Sequence, residues 1–203
     1  MTAALAIPAT ALATGTPLDQ LIDDPEVRAE YPSFQERART LVPRFMLDVW
    51  NDKNIETTRL IWSPDIVFHS PVDGSQIEGF DALLEFAHTI LGAFEDFRYE
   101  IQDVIVDGDR IVLRMVQTGR HTGDYFGLPP TGRRVRMNEV FVFRIAPTGP
   151  VGVRIEEVWL LLNVLHLMQQ IGLFPKGNPP RVLLRAVIAL QKLGRRLLRR
   201  SDD

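Results

Sequence analysis

HTGDYFGLPPTGRRVRMNEVFVFRI, residues 121–145, decides how this chain is read. Pro129-Pro130-Thr131-Gly132 is turn chemistry, since Pro presets φ and Gly accepts positive φ. After it the apolar residues alternate: Val135, Met137, then Phe141, Phe143 and Ile145. A period of two predicts a strand with one buried face. Glu139 stands on the apolar side of that alternation. A buried carboxylate is expensive unless it is paired or has a task. The segment therefore predicts both a strand and a candidate functional acid.

The same period extends on both sides. Phe97 to Val106, Arg110 to Arg120, Val135 to Ile145 and Val153 to Leu161 read as strands. Asp107-Gly108-Asp109 and Pro147-Thr148-Gly149-Pro150 supply hairpin turns between them. Upstream the pattern is helical. Ser33 and Glu36 have capping-box spacing. Apolar residues then recur from Phe34 to Trp50, with Pro43 expected to kink or split the helix. Asn51 to Asn54 ends it. Glu56 to Trp62 reads as a short helix and Asp65 to Ser70 as a strand stopped by Pro71. Asp81 is the expected cap of a helix carrying Leu83, Leu84, Ala87, Ile90, Leu91 and Phe94. Asn163 to Gly172 is a short amphipathic segment. Helices followed by a run of strands predict an α+β fold: a cone-shaped, curved antiparallel sheet with the N-terminal helices on its concave face.

The chain has 203 residues, enough for one domain with extensions. Residues 1–32 read as a partly disordered N-terminal extension, 33–175 as the domain, and 176–203 as a linker and a basic amphipathic helix. The N-terminal Ala/Thr-rich stretch is only faintly like a signal peptide, lacking a basic start and containing Pro8. No apolar run reaches the ~20 residues of a membrane span. The absence of cysteine rules out disulfides and thiolate chemistry and fits a cytoplasmic setting. From Lys176 onward eight basic residues face two acids, a net +6, leaving −9 for the remainder. An acidic body excludes a nucleic-acid surface there. The basic face of residues 181–200 admits three readings: an anionic membrane surface, an acidic partner, or a solvated face with its apolar side on the domain.

Trp50-Asn51, Asp65 through Pro71, Gly79, Asp107-Gly108-Asp109, Gly119 to Gly123, Gly127 to Arg133, Ile155-x-Glu157-x-Trp159 and Gln170-Ile171-Gly172 occur in this order. Together they resemble the SnoaL-like polyketide cyclase family, within the superfamily of nuclear transport factor 2 and ketosteroid isomerase. The resemblance covers about residues 40–175. It implies a pocket between sheet and helices, usually a homodimer, and acid–base aldol chemistry without metal or cofactor. The standard catalytic set does not carry over. The family's key Asp corresponds to Leu160, its Gln and His to Glu139 and Phe141, and the polar residue before the strand-ending Pro to Ser70. Met46 aligns with the oxyanion-binding Tyr of ketosteroid isomerase.

Catalysis is therefore expected from Glu139, with His121 or Ser70 polarising a carbonyl. The competing reading of Glu139 is an ion pair with Arg136 or Arg114. That of His121 is a hydrogen bond to its own turn. His69, Met46, Trp50, Met137, Phe141 and Leu160 are the expected substrate contacts. Glu157 and Trp159 face away from Leu160 by parity, and His88 and His166 sit on amphipathic helices. The four histidines show no paired ligand spacing, so neither metal nor cofactor is expected. The implied function is a cofactor-independent cyclase, isomerase or dehydratase on a hydrophobic, oxygenated natural product. The alternative is a non-catalytic pocket protein, held near a membrane by its C-terminal helix.

Overall fold

The computed structural model describes residues 33–72 and 74–174. The expectations for the N-terminal extension and for the basic C-terminal helix lie outside these residues. Helix α1 runs from Phe34 to Trp50 and opens with the capping box: the Ser33 hydroxyl accepts from Glu36 N, and Glu36 reaches back to Ser33 N. Pro43 neither ends nor divides it. Leu41, Val42, Phe45 and Met46 are buried on both sides of the proline, and this packing offsets the one missing N–H bond.

A 3-10 turn, Ile55–Thr57, and the four-residue helix α2, Thr58–Ile61, lead into strand β1, Trp62–His69. Strand β2 is only Gln76–Glu78. Helix α3, Phe80–Ala93, is capped by Gly79 rather than Asp81. Gly79 has φ 87° and ψ 154°, a conformation a side chain resists, and Asp81 lies in the first turn where its charge suits the helix dipole. Strands β3 (Phe94–Asp107), β4 (Arg110–His121), β5 (Arg134–Ala146) and β6 (Arg154–Leu162) follow, then helix α4, Val164–Ile171. Asn163 caps α4 by accepting from His166 N at 2.9 Å, and Gly172 ends it in the left-handed region.

The six strands form one curved, unclosed sheet in the order β2-β1-β6-β5-β4-β3. It is mixed rather than antiparallel, because β1 runs parallel to β6. Alternation along each strand reports which face is buried but not direction, and no hairpin joins these two strands. The reversal expected at Pro129-Pro130-Thr131-Gly132 falls earlier. Tyr125 and Leu128 exchange two backbone bonds of 3.0 Å around Phe126 (φ 51°) and Gly127 (φ 83°). Two successive residues of positive φ match the twist of a tight hairpin, whereas proline offers no N–H to close one.

Bulges decide which side chains point inward. In β3 the pairing with β4 slips between Glu95 and Arg98 and again between Ile101 and Asp103. Phe94, Phe97 and Tyr99 are thereby all buried despite their uneven spacing. In β6 the register slips beside Ile145, so Ile155 and Val158 both face the core.

Candidate functional site

The inner face of the sheet, α1, α3 and α4 enclose a cavity of about 500 Å³. Its walls are mostly aliphatic and aromatic, from Met46 and Trp50 on α1 to Leu160 and Leu162 on β6. Among the described residues lining it, Glu139 is the one carboxylate, and no Lys, Arg or His side chain is present. The remaining polar lining comes chiefly from Ser70, Ser75, Tyr99, Gln117 and Tyr125.

Glu139 is 2% exposed on β5. It pairs with neither Arg136 nor Arg114; the latter holds Asp103 at 2.5 Å on the outer face. Its partner is Tyr99, whose hydroxyl donates to Oε2 at 2.7 Å. Burial raises the Glu139 carboxyl to about 7 even against the Tyr99 hydrogen bond, which favours the carboxylate and pulls the other way. Tyr99 itself is pushed well above the usual phenol range, by burial first and then by the Glu139 charge. Tyr125 is pushed up to about 12 by the same two causes in the same order. Both tyrosines are hydrogen-bond donors at neutral pH, while the acid is poised between its two states.

The position of Tyr99 is built by Asn51, just past the end of α1. Asn51 Oδ1 accepts from Tyr99 N at 2.7 Å, and its Nδ2 donates to Tyr99 O at 3.0 Å. This two-bond clamp holds the strand just after its first bulge. The rings of Trp50, Phe97 and Phe141 meet Tyr99 edge-on, with centroids 5.0–5.9 Å away.

Glu139, Ser70, Met46, Trp50, Phe141 and Leu160 all line the cavity. Ser70 Oγ also accepts from Val72 N at 3.3 Å, which ties it to the local turn. His121, His69 and Met137 do not line it. His121 is fully buried behind Phe94 and Tyr125, with ring centroids 5.4 and 6.2 Å away, and those two rings line the cavity instead. Its Nδ1 meets Thr131 Oγ1 at 3.2 Å, and Nε2 has no partner among the described residues. Burial lowers its pKa against the opposing pull of Asp124. Met137 Sδ receives Gln170 Nε2 at 3.1 Å. His69 lies on the opposite face of β1, bonded to Glu157 at 2.7 Å and stacked on Trp159 at 4.8 Å. Glu157 and Trp159 share that outer face, where Arg144 also holds Glu157 at 2.9 Å.

Tyr99 and Gln117 are the site residues that sequence reasoning missed. The bulges hide the parity of Tyr99. Gln117 carried the same signal as Glu139, a polar residue among the inward positions Leu113 and Met115. Among the described residues no group of three or more His, Asp or Glu side chains could hold a metal ion.

A curved, open sheet wrapped around an apolar cavity, with one buried acid among the described residues that line it, defines a small α+β cavity protein. The chain belongs to the SnoaL-like polyketide cyclase family, whose model matches residues 40–171. Among solved structures, AclR from Streptomyces galilaeus, a proposed hydroxylase, is 27% identical with a TM-score of 0.59, covering 81% of this chain and 97% of its own. IdmH from Streptomyces antibioticus, a proposed polyketide cyclase, is 27% identical with a TM-score of 0.53, covering 63% and 93%. A SnoaL-like protein from Jannaschia at 23% identity and TM-score 0.61 covers 70% and 96%, and supports the fold alone. Among curated proteins no relative matches the sequence.

Proposed function

We propose that this protein is a cofactor-independent acid–base enzyme of the cyclase or isomerase type. Its substrate is a hydrophobic, oxygenated natural product such as a polyketide, and Glu139 is the catalytic residue. The observation that carries this reading is Glu139 itself: a carboxyl of raised pKa at the wall of an apolar cavity, with a phenol fixed on one oxygen.

The division of labour follows from the geometry. Tyr99 occupies Oε2 of Glu139, which fixes the carboxyl plane. Oε1 has no partner among the described residues and is the basic atom. As carboxylate it removes a proton from the carbon beside a ligand carbonyl; the C–H pair becomes the enolate, with its charge on oxygen. Tyr125, neutral and within the field of Glu139, is the donor for that oxygen. The protonated Glu139 then returns its proton to carbon or to a new alkoxide, which regenerates the base. The apolar walls exclude water from the enolate.

A second reading, ligand binding without turnover, draws on Leu160, which stands where the family's key acid is expected. The two are separated with 2-tetralone in D2O, a hydrophobic ketone whose α-proton exchange is followed by NMR. An enzyme accelerates exchange over buffer, and Glu139→Gln removes the acceleration by about 10²-fold or more. Equal exchange in the wild type, the variant and buffer would leave the binding reading.

A further inference from the structure

The cavity contains a second polar point that the proton-transfer scheme leaves unused. Gln117 on β4 is 6% exposed and lines the cavity. Its side-chain amide makes no hydrogen bond to any described residue. A glutamine amide offers two donors and one acceptor, and leaving them unmade in an apolar enclosure is costly. An unpaired amide on a side chain that lines the cavity marks a place for a ligand group.

Strand pairing fixes where that group sits. Gln117 is directly opposite Tyr99 on β3 and opposite Met137 on β5. Glu139, two residues beyond Met137, is therefore its diagonal neighbour on the same face, roughly 7–8 Å away. Tyr99, Gln117 and Glu139 form a triangle on three adjacent strands. One edge of it, from Tyr99 to Glu139, is already closed by a hydrogen bond. Gln117 remains open toward the ligand.

We propose that Gln117 is a specificity-determining residue that receives a second oxygen of the ligand, so that the cavity selects molecules with two separated oxygen functions. One oxygen lies at the Glu139–Tyr99–Tyr125 end and the other accepts from the Gln117 amide. This rests on the reading of the cavity as a site for hydrophobic oxygenated ligands and narrows it. A ligand with one carbonyl can only be isomerised there. A ligand whose second oxygen is also a carbonyl presents the electrophile a cyclisation requires.

The test uses two probes that differ by one oxygen: 4-(4-hydroxyphenyl)butan-2-one and 4-butylphenol, in which a methylene replaces the ketone. Calorimetry gives Kd for both with the wild type and with Gln117→Leu; Gln117→Met, of similar length without the amide, replaces it if the leucine variant does not fold. The ratio of the two dissociation constants isolates the ketone oxygen. Removing the amide is expected to shift that ratio against the ketone by about tenfold or more, with 4-butylphenol changed far less. A ratio that stays within about twofold would overturn the assignment of Gln117 while leaving the Glu139 chemistry standing, since 2-tetralone exchange reads that separately. Failure of the wild type to bind either probe would overturn the reading of the cavity as a site for hydrophobic oxygenated ligands, and the Gln117 assignment with it.

Discussion

Tyr99 and Glu139 are forty residues apart, on β3 and β5, yet the Tyr99 hydroxyl lies 2.7 Å from Glu139 Oε2 across the intervening strand β4. The bond sets the orientation of the Glu139 carboxylate in the cavity and restrains its proton affinity. Removing the hydroxyl with Tyr99→Phe leaves burial unopposed, so the Glu139 carboxyl moves above about 7. The acidic limb of any Glu139-dependent activity, where protonation removes the carboxylate base, is expected to move to higher pH in a rate–pH profile. An unchanged profile would mean that the bond is incidental.

Glu139 also makes stability depend on pH. Its folded value is about 7, whereas an unfolded glutamate titrates near 4.5. Between those values the native state holds a proton that the unfolded state has released, so stability falls as pH rises. The contribution is complete below about 4.5 and is lost by about 7, amounting to roughly 3 kcal/mol over that window. Urea unfolding of the wild type from pH 4.5 to 7.5 should show this loss, and Glu139→Gln should lack it.

The Asn51 clamp predicts a coupled defect. Asn51→Ala removes both bonds to the Tyr99 backbone and leaves a buried N–H and C=O to be resolvated. The expected loss is about 1–3 kcal/mol in denaturant unfolding. Activity should fall further than Tyr99→Phe alone would lower it, because the strand that carries the phenol is released.

Gly123 packs against the end of α3, where its N–H bonds Ala93 O at 3.1 Å. A methyl group there would overlap the Gly92 carbonyl, which is backbone and cannot swing away. Gly123→Ala is expected to lower Tm and destabilise by about 1–3 kcal/mol. It should also perturb Tyr125 and Phe126, which follow in chain and line the cavity.

Much of this was legible in the residues. The Ser33–Glu36 box, the period-two runs and the glycine-rich turns identify the helices and the main strands, because each is a local signal with a local cause. Other features depend on distant pairing. The parallel contact of β1 with β6 and the three-residue β2 leave no imprint on alternation. Phe126-Gly127 outcompetes the more conspicuous Pro-Pro pair for the turn. In the site, Glu139 was visible because an acid breaks an apolar alternation. Gln117 breaks it in the same way, though more quietly. Tyr99 could not be seen, since a tyrosine blends into a hydrophobic strand and two bulges scramble its parity. His121 was expected to polarise a carbonyl but sits behind Phe94 and Tyr125, which only packing reveals.

The most direct test of Glu139 as an acid–base group near neutrality is a carbon-detected NMR titration of the protein labelled at glutamate side-chain carboxyls, with Glu139→Gln to assign the signal. One carboxyl resonance, missing from the variant, should titrate with a midpoint near 7. A midpoint for that resonance near 4.5, the value of an ordinary glutamate, would contradict the role given to it.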